Sequence, residues 1–265
     1  MAGPGFRLLA TDIDGTMLRS DGTLSPRVEA ALHAAVAAGV EVVPVTGRPY
    51  HVARDVIEWL NIREYWIFAN GAITRHLDRG QLIRGFWMDP TLAQGLVVEL
   101  RRDLPGAGFA VELEDEVVFE PGFELVVPTV PPYPPVDDVL DHLRGRVQKV
   151  LVYVPGLDLD ELYRRVQAAV GDAAVPTYSG LPFIEVSGRL VTKATALELL
   201  CDDLGIERAD VVSVGDNHND ISMLEWAGRS FAMGNASQDA LAVAGEVLPT
   251  SDEDGLAVLV ERLLG

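Results

Sequence analysis

Short runs of apolar residues recur along the first 85 residues of the chain. Residues 6–11 (FRLLAT), 40–46 (VEVVPVT) and 65–70 (YWIFAN) are nearly continuous apolar runs, and each ends at a polar or glycine-containing segment. Runs of this length and composition are typical of strands that are buried on both faces of a sheet. The pattern therefore predicts three parallel strands.

Helical segments separate these runs. Ser25 and Pro26 are the residue types preferred at a helix N-cap and at the first helical position, and the apolar segment after them continues to Gly39. A second periodic segment, residues 51–61, leads to the third strand. The alternation of strand and helix predicts a parallel sheet with helices on both faces.

The pattern changes between residues 86 and 184, where helical and hairpin-like segments alternate. A proline-rich stretch within it, residues 128–138 (PTVPPYPPVDD), is interpreted as a stiff connecting loop. Alternation of strand and helix returns after residue 190. We therefore predict an α/β fold in which residues 1–85 and 185–265 form one parallel-sheet core and residues 86–184 form an inserted domain.

The chain is strongly acidic, with 40 Asp and Glu residues against 21 Lys and Arg residues, for a net charge of -19. Such a surface repels nucleic acids and anionic membranes. Neither an apolar run of the ~20 residues that span a bilayer nor a signal-peptide pattern is visible. We expect a cytoplasmic protein without nucleic-acid or membrane partners. A small anionic ligand can bind only where a local cation or metal offsets the negative charge of the protein.

Polar residues follow the carboxyl ends of the predicted strands, where the loops of such sheets form the binding crevice. They are Asp12 and Asp14 after the first strand, Thr46, Gly47 and Arg48 after the second, Asn70 and Gly71 after the third, and residues 215–220 (GDNHND) after a strand near residue 212. Lys193, at the start of the predicted helix that follows the inserted segment, is the cation to add to this set.

Converging carboxylates beside one lysine require a further positive charge, and hard oxygen ligands favour Mg²⁺ over zinc. Mg²⁺ held by few protein ligands is suited to bind a phosphate group. Asp12 is then placed to attack phosphorus and form an aspartyl phosphate. Asp14, two residues further on, can protonate the leaving oxygen and later accept a proton from water.

Each of these residues has an ordinary structural alternative. A D-x-D pair often does no more than support a turn, Thr46 can simply end a strand, and an isolated lysine such as Lys193 is usually solvated. His218 is interpreted as a surface residue. The order of the segments favours the functional interpretation, because each falls where the predicted strands require a functional loop or helix start.

The segments resemble motifs of the haloacid dehalogenase-like hydrolase superfamily, specifically its Cof-type phosphatases. DIDGT at 12–16 is similar to the first motif, TGR at 46–48 to the second, Lys193 to the third and GDNHND at 215–220 to the fourth; NGA at 70–72, AMGNA at 232–236 and Asp254-Gly255 also resemble this branch. Ala194 follows Lys193 where this branch usually has glycine, which puts in question only the fine placement of the lysine.

The resemblance implies a Rossmann-like core with an inserted α/β cap domain of type IIB. It also implies a set of metal-binding residues: Asp12, which is the nucleophile as well, Asp14 through its backbone carbonyl, Asp216 and Asp220. It further implies a set of residues that hold the phosphoryl group or contact substrate: Thr46, Gly47, Arg48, Asn70, Lys193 and Asn219.

The expected function is Mg²⁺-dependent hydrolysis of phosphomonoesters of small metabolites, such as sugar phosphates or phosphorylated cofactors. A phosphomutase with the same nucleophile, a non-catalytic protein that binds phosphorylated metabolites and a phospho-acceptor signalling domain are the alternatives. The presence of both Asp12 and Asp14 favours turnover over binding alone. An insertion of ~100 residues favours a cap that selects substrate over a signalling domain.

Overall fold

The structure is a computed structural model that describes residues 5–123 and 134–265. The chain divides into two compact units. The first unit contains the described residues up to 48 together with 53–85 and 192–265, and the second contains 49–52 and the described residues of 86–191. Most of the proline-rich stretch predicted to be a loop lies outside the described residues.

The described strands and helices follow one another in the chain with these bounds. The strands are β1 (Leu8–Thr11), β2 (Glu41–Pro44), β3 (Tyr65–Phe68), β4 (Ile73–His76), β5 (Gln81–Gly85), β6 (Gly108–Leu113), β7 (Val117–Phe119), β8 (Val147–Tyr153), β9 (Ala174–Thr177), β10 (Ile184–Gly188), β11 (Val211–Gly215), β12 (Arg229–Ala232) and β13 (Glu246–Val247). The helices are α1 (Pro26–Ala37), α2 (Arg54–Leu60), α3 (Pro90–Asp103), α4 (Leu159–Val170), α5 (Lys193–Leu204), α6 (Ile221–Trp226), α7 (Gln238–Val243) and α8 (Gly255–Leu264).

A five-stranded parallel sheet forms the centre of the first unit, in the order β13-β12-β11-β1-β2. All four residues of β1 are buried, which requires cover on both faces of the sheet. On one face, β1, β2 and β11 pack against apolar residues of α5 and α6. The predicted α/β fold with a parallel-sheet core is therefore confirmed.

Local sequence explains where the helices begin. The hydroxyl of Ser25 accepts a hydrogen bond from the N–H of Val28 at 3.1 Å, and Pro26 occupies the first position of α1, as its sequence predicted. Helix α2 begins only at Arg54, three residues later than the start predicted at residue 51.

The third predicted strand does not simply extend the parallel sheet. One parallel bridge, between Val45 and Ile67, connects it to the preceding strand, while β3, β4 and β5 form an antiparallel sheet of three strands. The hairpin β4-β5 was not predicted, although Gly80, with φ of 59°, supplies the residue type that its turn requires.

The second unit has an antiparallel sheet in the order β7-β6-β8-β10-β9, with apolar residues of α3 and α4 packed against one face. Phe119, Phe123 and Phe183 belong to a separate apolar cluster that includes Leu151 of β8. The predicted boundary at residue 184 falls at the first residue of β10, whose strand pairs with β8 and β9. The second unit therefore continues to Val191 instead of ending at residue 184.

Helices able to cross a bilayer are absent from the described part of the chain, because none there is both long and apolar enough.

Candidate active site

The central strands bring the two acidic segments together. β1 and β11 are parallel neighbours, with Thr11 opposite Val214, and the N–H of Asp12 donates to the carbonyl of Val214 at 3.0 Å. Asp12 and the loop at 215–220 therefore leave the same edge of the sheet, as expected for parallel strands.

Lys193 links these two segments through its ammonium group. Its Nζ lies 2.6 Å from Oδ1 of Asp12 and 2.6 Å from Oδ1 of Asp220. The Lys193 side chain is fully buried. The residue stands at the first position of α5, whose N-cap, Thr192, accepts a hydrogen bond from the N–H of Thr195 at 3.0 Å. The lysine is thus a buried ion-pair partner and not a solvated helix residue.

The loop after β11 is shaped around Asp220. Its second carboxylate oxygen accepts the N–H groups of Asp216 and Asn217, each at 3.0 Å. A side chain at Gly215 would bring a Cβ within 2.5 Å of the Asp220 Cβ, so this close approach requires glycine. His218 in the same loop, interpreted as a surface residue, is half-buried.

Three carboxylates gather at this edge of the sheet. Ligand oxygens of Asp12, Asp216 and Asp220 all lie within 4.8 Å of one another, and the three residues are buried. The hydroxyl of Thr16 donates to Oδ1 of Asp216 at 3.1 Å. A single ammonium, from Lys193, stands against three carboxylates, which leaves an excess of negative charge among hard oxygen donors.

Burial and the excess negative charge both shift the pKa values of the cluster. Burial, reinforced by the charge of Asp220, raises the pKa of Asp12 well above its ordinary value and that of Asp216 to about 7. Burial opposes the charged form of Lys193, yet Asp12 and Asp220 raise the lysine pKa above its ordinary value. The residues present therefore fit a divalent cation, which would supply the missing positive charge.

Thr46 and Gly47 lie on the turn that follows β2, where a Cβ at Gly47 would come 3.5 Å from Nδ2 of Asn219 in the loop at 215–220. Thr46 is fully buried, its N–H donates to the carbonyl of Ile67 at 2.9 Å, and its carbonyl accepts the N–H of Asn70 at 3.0 Å. A Cβ at Gly47 would lie 3.0 Å from Oδ1 of Asn70, a close approach that favours glycine. The turn therefore presents backbone and hydroxyl groups with little side-chain bulk.

Asn70 and Asn219 join two of the predicted segments. Nδ2 of Asn219 donates to Oδ1 of Asn70 at 3.0 Å, and both side chains are buried. Asn70 has a φ of 55°, in the left-handed region that asparagine tolerates better than most residues. The structure thus brings both predicted substrate-binding amides to one place, while their contact with substrate stays a prediction.

Arg48 and Asp14 are paired with each other. Nε of Arg48 donates to Oδ2 of Asp14 at 2.8 Å, and Nη2 of the same guanidinium donates to Oδ1. The carboxylate of Asp14 does not belong to the cluster of Asp12, Asp216 and Asp220. The metal contact expected of Asp14 involves its backbone carbonyl, and it stays a prediction.

Two further polar residues support the site and were not assigned a role from sequence. Thr16 fixes Asp216, and Nδ2 of Asn235 donates to the carbonyl of Gly15 at 2.8 Å while its Oδ1 accepts the N–H of Ser251 at 2.9 Å. Gly15 has a φ of 76°, and a Cβ there would lie 2.4 Å from Oδ2 of Asp216. The positions of Thr16 in DIDGT and of Asn235 in AMGNA were the sequence signal that could have identified these two residues.

The arrangement of the sheet and the carboxylates matches a known family over nearly the whole chain. A model of the haloacid dehalogenase-like hydrolase family matches residues 9–260. The chain belongs to the haloacid dehalogenase-like hydrolase family. The resemblance inferred from the motifs is therefore confirmed.

Individual relatives of this haloacid dehalogenase-like hydrolase agree in length and fold. A putative phosphatase, YxeH, of Bacillus subtilis (strain 168) is 29% identical over 98% of both chains. The 5-amino-6-(5-phospho-D-ribitylamino)uracil phosphatase YitU of the same strain is 25% identical over 94% of both chains. A solved structure of a haloacid dehalogenase-like hydrolase from B. subtilis has a TM-score of 0.86 and 27% identity, covering 97% of this chain and 100% of the other. The predicted enzyme class, a phosphatase of this family, is confirmed.

Proposed function

We propose that this haloacid dehalogenase-like hydrolase is a Mg²⁺-dependent phosphatase that hydrolyses phosphomonoesters of small metabolites through an aspartyl phosphate on Asp12. The observation that supports this most strongly is the buried Asp12 carboxylate, held at 2.6 Å by Lys193 within 4.8 Å of two further carboxylates. An oriented nucleophile beside a site for a divalent cation is the arrangement that phosphoryl transfer requires.

A divalent cation would be held by Asp12 and Asp216, with Asp220 close behind them and the backbone carbonyl of Asp14 as a further ligand. When bound, Mg²⁺ would offset the negative charge of the substrate phosphoryl group and bring it to the carboxylate cluster. Hard oxygen donors make Mg²⁺ the expected ion.

Lys193 has two roles in this proposal. Its ammonium fixes one oxygen of Asp12, which limits the orientations of the nucleophile. The same positive charge stabilises the phosphoryl oxygens as charge moves onto them during transfer. The buried hydroxyl of Thr46 and the open backbone at Gly47 complete the cradle for the phosphoryl group.

The reaction proceeds in two displacements. An oxygen of Asp12 attacks phosphorus, the bond from phosphorus to the ester oxygen breaks, and Asp14 gives its proton to that leaving oxygen. Water then attacks the phosphorus of the aspartyl phosphate, Asp14 accepts the proton of that water, and Asp12 leaves as a carboxylate. The side chain of Asp14 is half-exposed, which lets it meet both the leaving group and water.

The substrate class is proposed from the relatives and from the charge of the chain. YitU is named for its action on a phosphorylated ribitylamino compound. The proposed substrate is therefore a phosphate monoester of a sugar, an alditol or a cofactor. Its anionic group would bind where local cations compensate the negative charge of the acidic protein.

Phosphate release from a panel of phosphorylated metabolites, with and without Mg²⁺, tests the proposal. We expect Mg²⁺-dependent release by the wild-type protein and none by Asp12→Asn. The exposed Asp172 provides a matched control, because Asp172→Asn makes the same chemical change away from the cluster and should retain activity.

Two outcomes would contradict the proposal. Wild-type turnover by Asp12→Asn would remove the aspartyl phosphate from the mechanism. Interconversion of phosphorylated sugars without release of inorganic phosphate, detected by chromatography, would replace the phosphatase with a mutase.

A further inference from the structure

Arg48 forms a two-pronged ion pair with the proposed acid/base, Asp14. Nε donates to Oδ2 at 2.8 Å, and Nη2 donates to Oδ1. One guanidinium thus contacts both oxygens of the Asp14 carboxylate. Such paired hydrogen bonds fix the plane of a carboxylate as well as its position, which a point charge such as lysine does not do.

The two partners are anchored differently. The backbone of Arg48 is held on both sides, because its N–H donates to Oγ1 of Thr46 at 3.0 Å and its carbonyl accepts the N–H of Ala69 at 3.0 Å. The Arg48 side chain is 27% exposed, and that of Asp14 is 50% exposed. The arginine is therefore the less exposed partner and has a fixed backbone, which favours the arginine as the group that determines where the carboxylate lies.

We propose that Arg48 is a positioning residue for Asp14 and not a phosphate-binding residue. The inference rests on the proposed function, since it concerns the proton transfers assigned to Asp14. Nε of Arg48 keeps its hydrogen bond to one Asp14 oxygen, while the other oxygen exchanges its hydrogen bond to Nη2 for one to the leaving group and later to water, without rotation of the carboxylate. Both displacements then use one carboxylate orientation.

The opposing interpretation is that Arg48 contacts the substrate directly, as the resemblance implied, and that it does so through the phosphoryl group. In the structure the fork of its guanidinium is occupied by Asp14, whereas Lys193 is the cation within the carboxylate cluster. A phosphate-binding arginine contributes to every phosphomonoester alike. In the first displacement, a residue that positions the acid contributes only where the leaving oxygen needs a proton.

A double-mutant cycle with two substrates separates these interpretations. The variants are Arg48→Gln, Asp14→Asn and both together, and the substrates are an alkyl phosphate, whose alkoxide needs protonation, and p-nitrophenyl phosphate, whose phenolate needs little. We expect Arg48→Gln to lower the rate of the first displacement, measured in single turnovers, about 100-fold on the alkyl phosphate, because a misplaced catalytic group costs about that factor, and only a few-fold on the aryl phosphate. The second displacement, in which Asp14 accepts a proton from water, should slow equally for both substrates. The substrate concentration that half-saturates the single turnovers should change little.

The combined variant decides whether Arg48 acts through Asp14. We expect Arg48→Gln to cause no further loss in the Asp14→Asn background, because the group that it positions is already absent. Arg48→Lys keeps the charge without the fork and should recover only part of the lost rate. Urea midpoints should match the wild type throughout, since a half-exposed pair contributes little to stability.

Arg63→Gln is the matched control, because Arg63 forms an exposed pair with Asp78 at 3.3 Å and lies outside the proposed machinery. It should leave both rates unchanged. Equal losses of the first displacement on the two substrates, weaker half-saturation in the single turnovers or additive effects in the cycle would overturn the proposal and make Arg48 a substrate-binding residue. Failure of the wild type to release phosphate from either substrate would instead remove the proposed function itself.

Discussion

Each unit of the chain contains a buried lysine that bridges two carboxylates, yet only one of the two clusters has the character of an active site. In the first unit Lys193 contacts Asp12 and Asp220 at 2.6 Å each. In the second unit Lys149, which is 1% exposed, occupies a similar position between two glutamates. Burial of a paired lysine therefore does not by itself identify function.

The Lys149 cluster lies within a sheet. Lys149 on β8 stands opposite Glu112 on β6, 3.0 Å from its carboxylate, and 3.3 Å from Glu185 on β10. The hydroxyl of Ser179 donates to the other oxygen of Glu185 at 3.0 Å. Its members are thus held by regular strand pairing, which gives each side chain a fixed neighbour.

The Lys193 cluster differs in its backbone and in its charge. Its carboxylates stand on loops at strand ends, where Gly15 and Gly215 allow close approach. It also has a third carboxylate, Asp216, so it keeps two excess negative charges where the Lys149 cluster keeps one. A single excess charge can be removed by one proton, whereas two match a divalent cation.

The largest effect is expected from Lys193→Met. It removes the group that orients Asp12 and leaves the buried carboxylates unbalanced, so phosphate release should fall by about 10³-fold. Without metal the free energy of unfolding should fall by about 3–5 kcal/mol, the usual cost of breaking a buried pair. Mg²⁺ should reduce this difference from wild type in urea denaturation, because it compensates the same carboxylates. Full activity of the variant would contradict the assignment of the Lys193 cluster as the active site.

Lys149→Met should cost a similar ~3–5 kcal/mol, because it leaves Glu112 and Glu185 buried without their cation. Here the difference from wild type should be the same with and without Mg²⁺. The triple variant Lys149→Met, Glu112→Gln and Glu185→Gln should regain most of the lost free energy of unfolding, since this cluster then contains no buried charge. A loss that Mg²⁺ selectively corrects would mean that this cluster also binds the ion.

The pH dependence of stability tests the excess charge assigned to the Lys149 cluster. Burial raises the pKa of Glu112 from an ordinary value of 4.5 to about 7, although Lys149 opposes this. The folded state therefore binds this proton more tightly, and the free energy of unfolding falls as pH rises through this window, on the order of 3 kcal/mol in total. Glu112→Gln should flatten that slope in urea titrations between pH 4.5 and 8. The exposed Glu116, changed to Gln, should leave the slope unaltered.

The smallest effects concern one hydroxyl in each cluster. Thr16→Ala removes the donor to Asp216 and should raise the Mg²⁺ concentration for half-maximal activity about 10- to 100-fold, as loss of a group that orients a metal ligand does. Ser179→Ala removes the donor to Glu185 and should lower stability by about 1–2 kcal/mol with unchanged Mg²⁺ dependence. Calorimetry and metal titration measure both, and an altered metal requirement in Ser179→Ala would contradict the distinction.

Sequence alone determined the features that depend on neighbouring residues. The apolar runs at 6–11 and 40–46 predicted β1 and β2, and the Ser25-Pro26 pair predicted the start of α1. The chemistry of Asp12, Lys193 and residues 215–220 was also visible, because parallel strands end at one edge and the residue types at those ends indicate metal and phosphate binding.

Only the tertiary structure decided which of these polar groups touch. The pairing of Arg48 with Asp14, of Thr16 with Asp216 and of Asn70 with Asn219 joins residues separated by 34, 200 and 149 positions, and no local pattern encodes such distances. The Lys149 cluster escaped prediction for the same reason: its three charges lie on β6, β8 and β10, and strand register, set by the packing of whole apolar faces, brings them together.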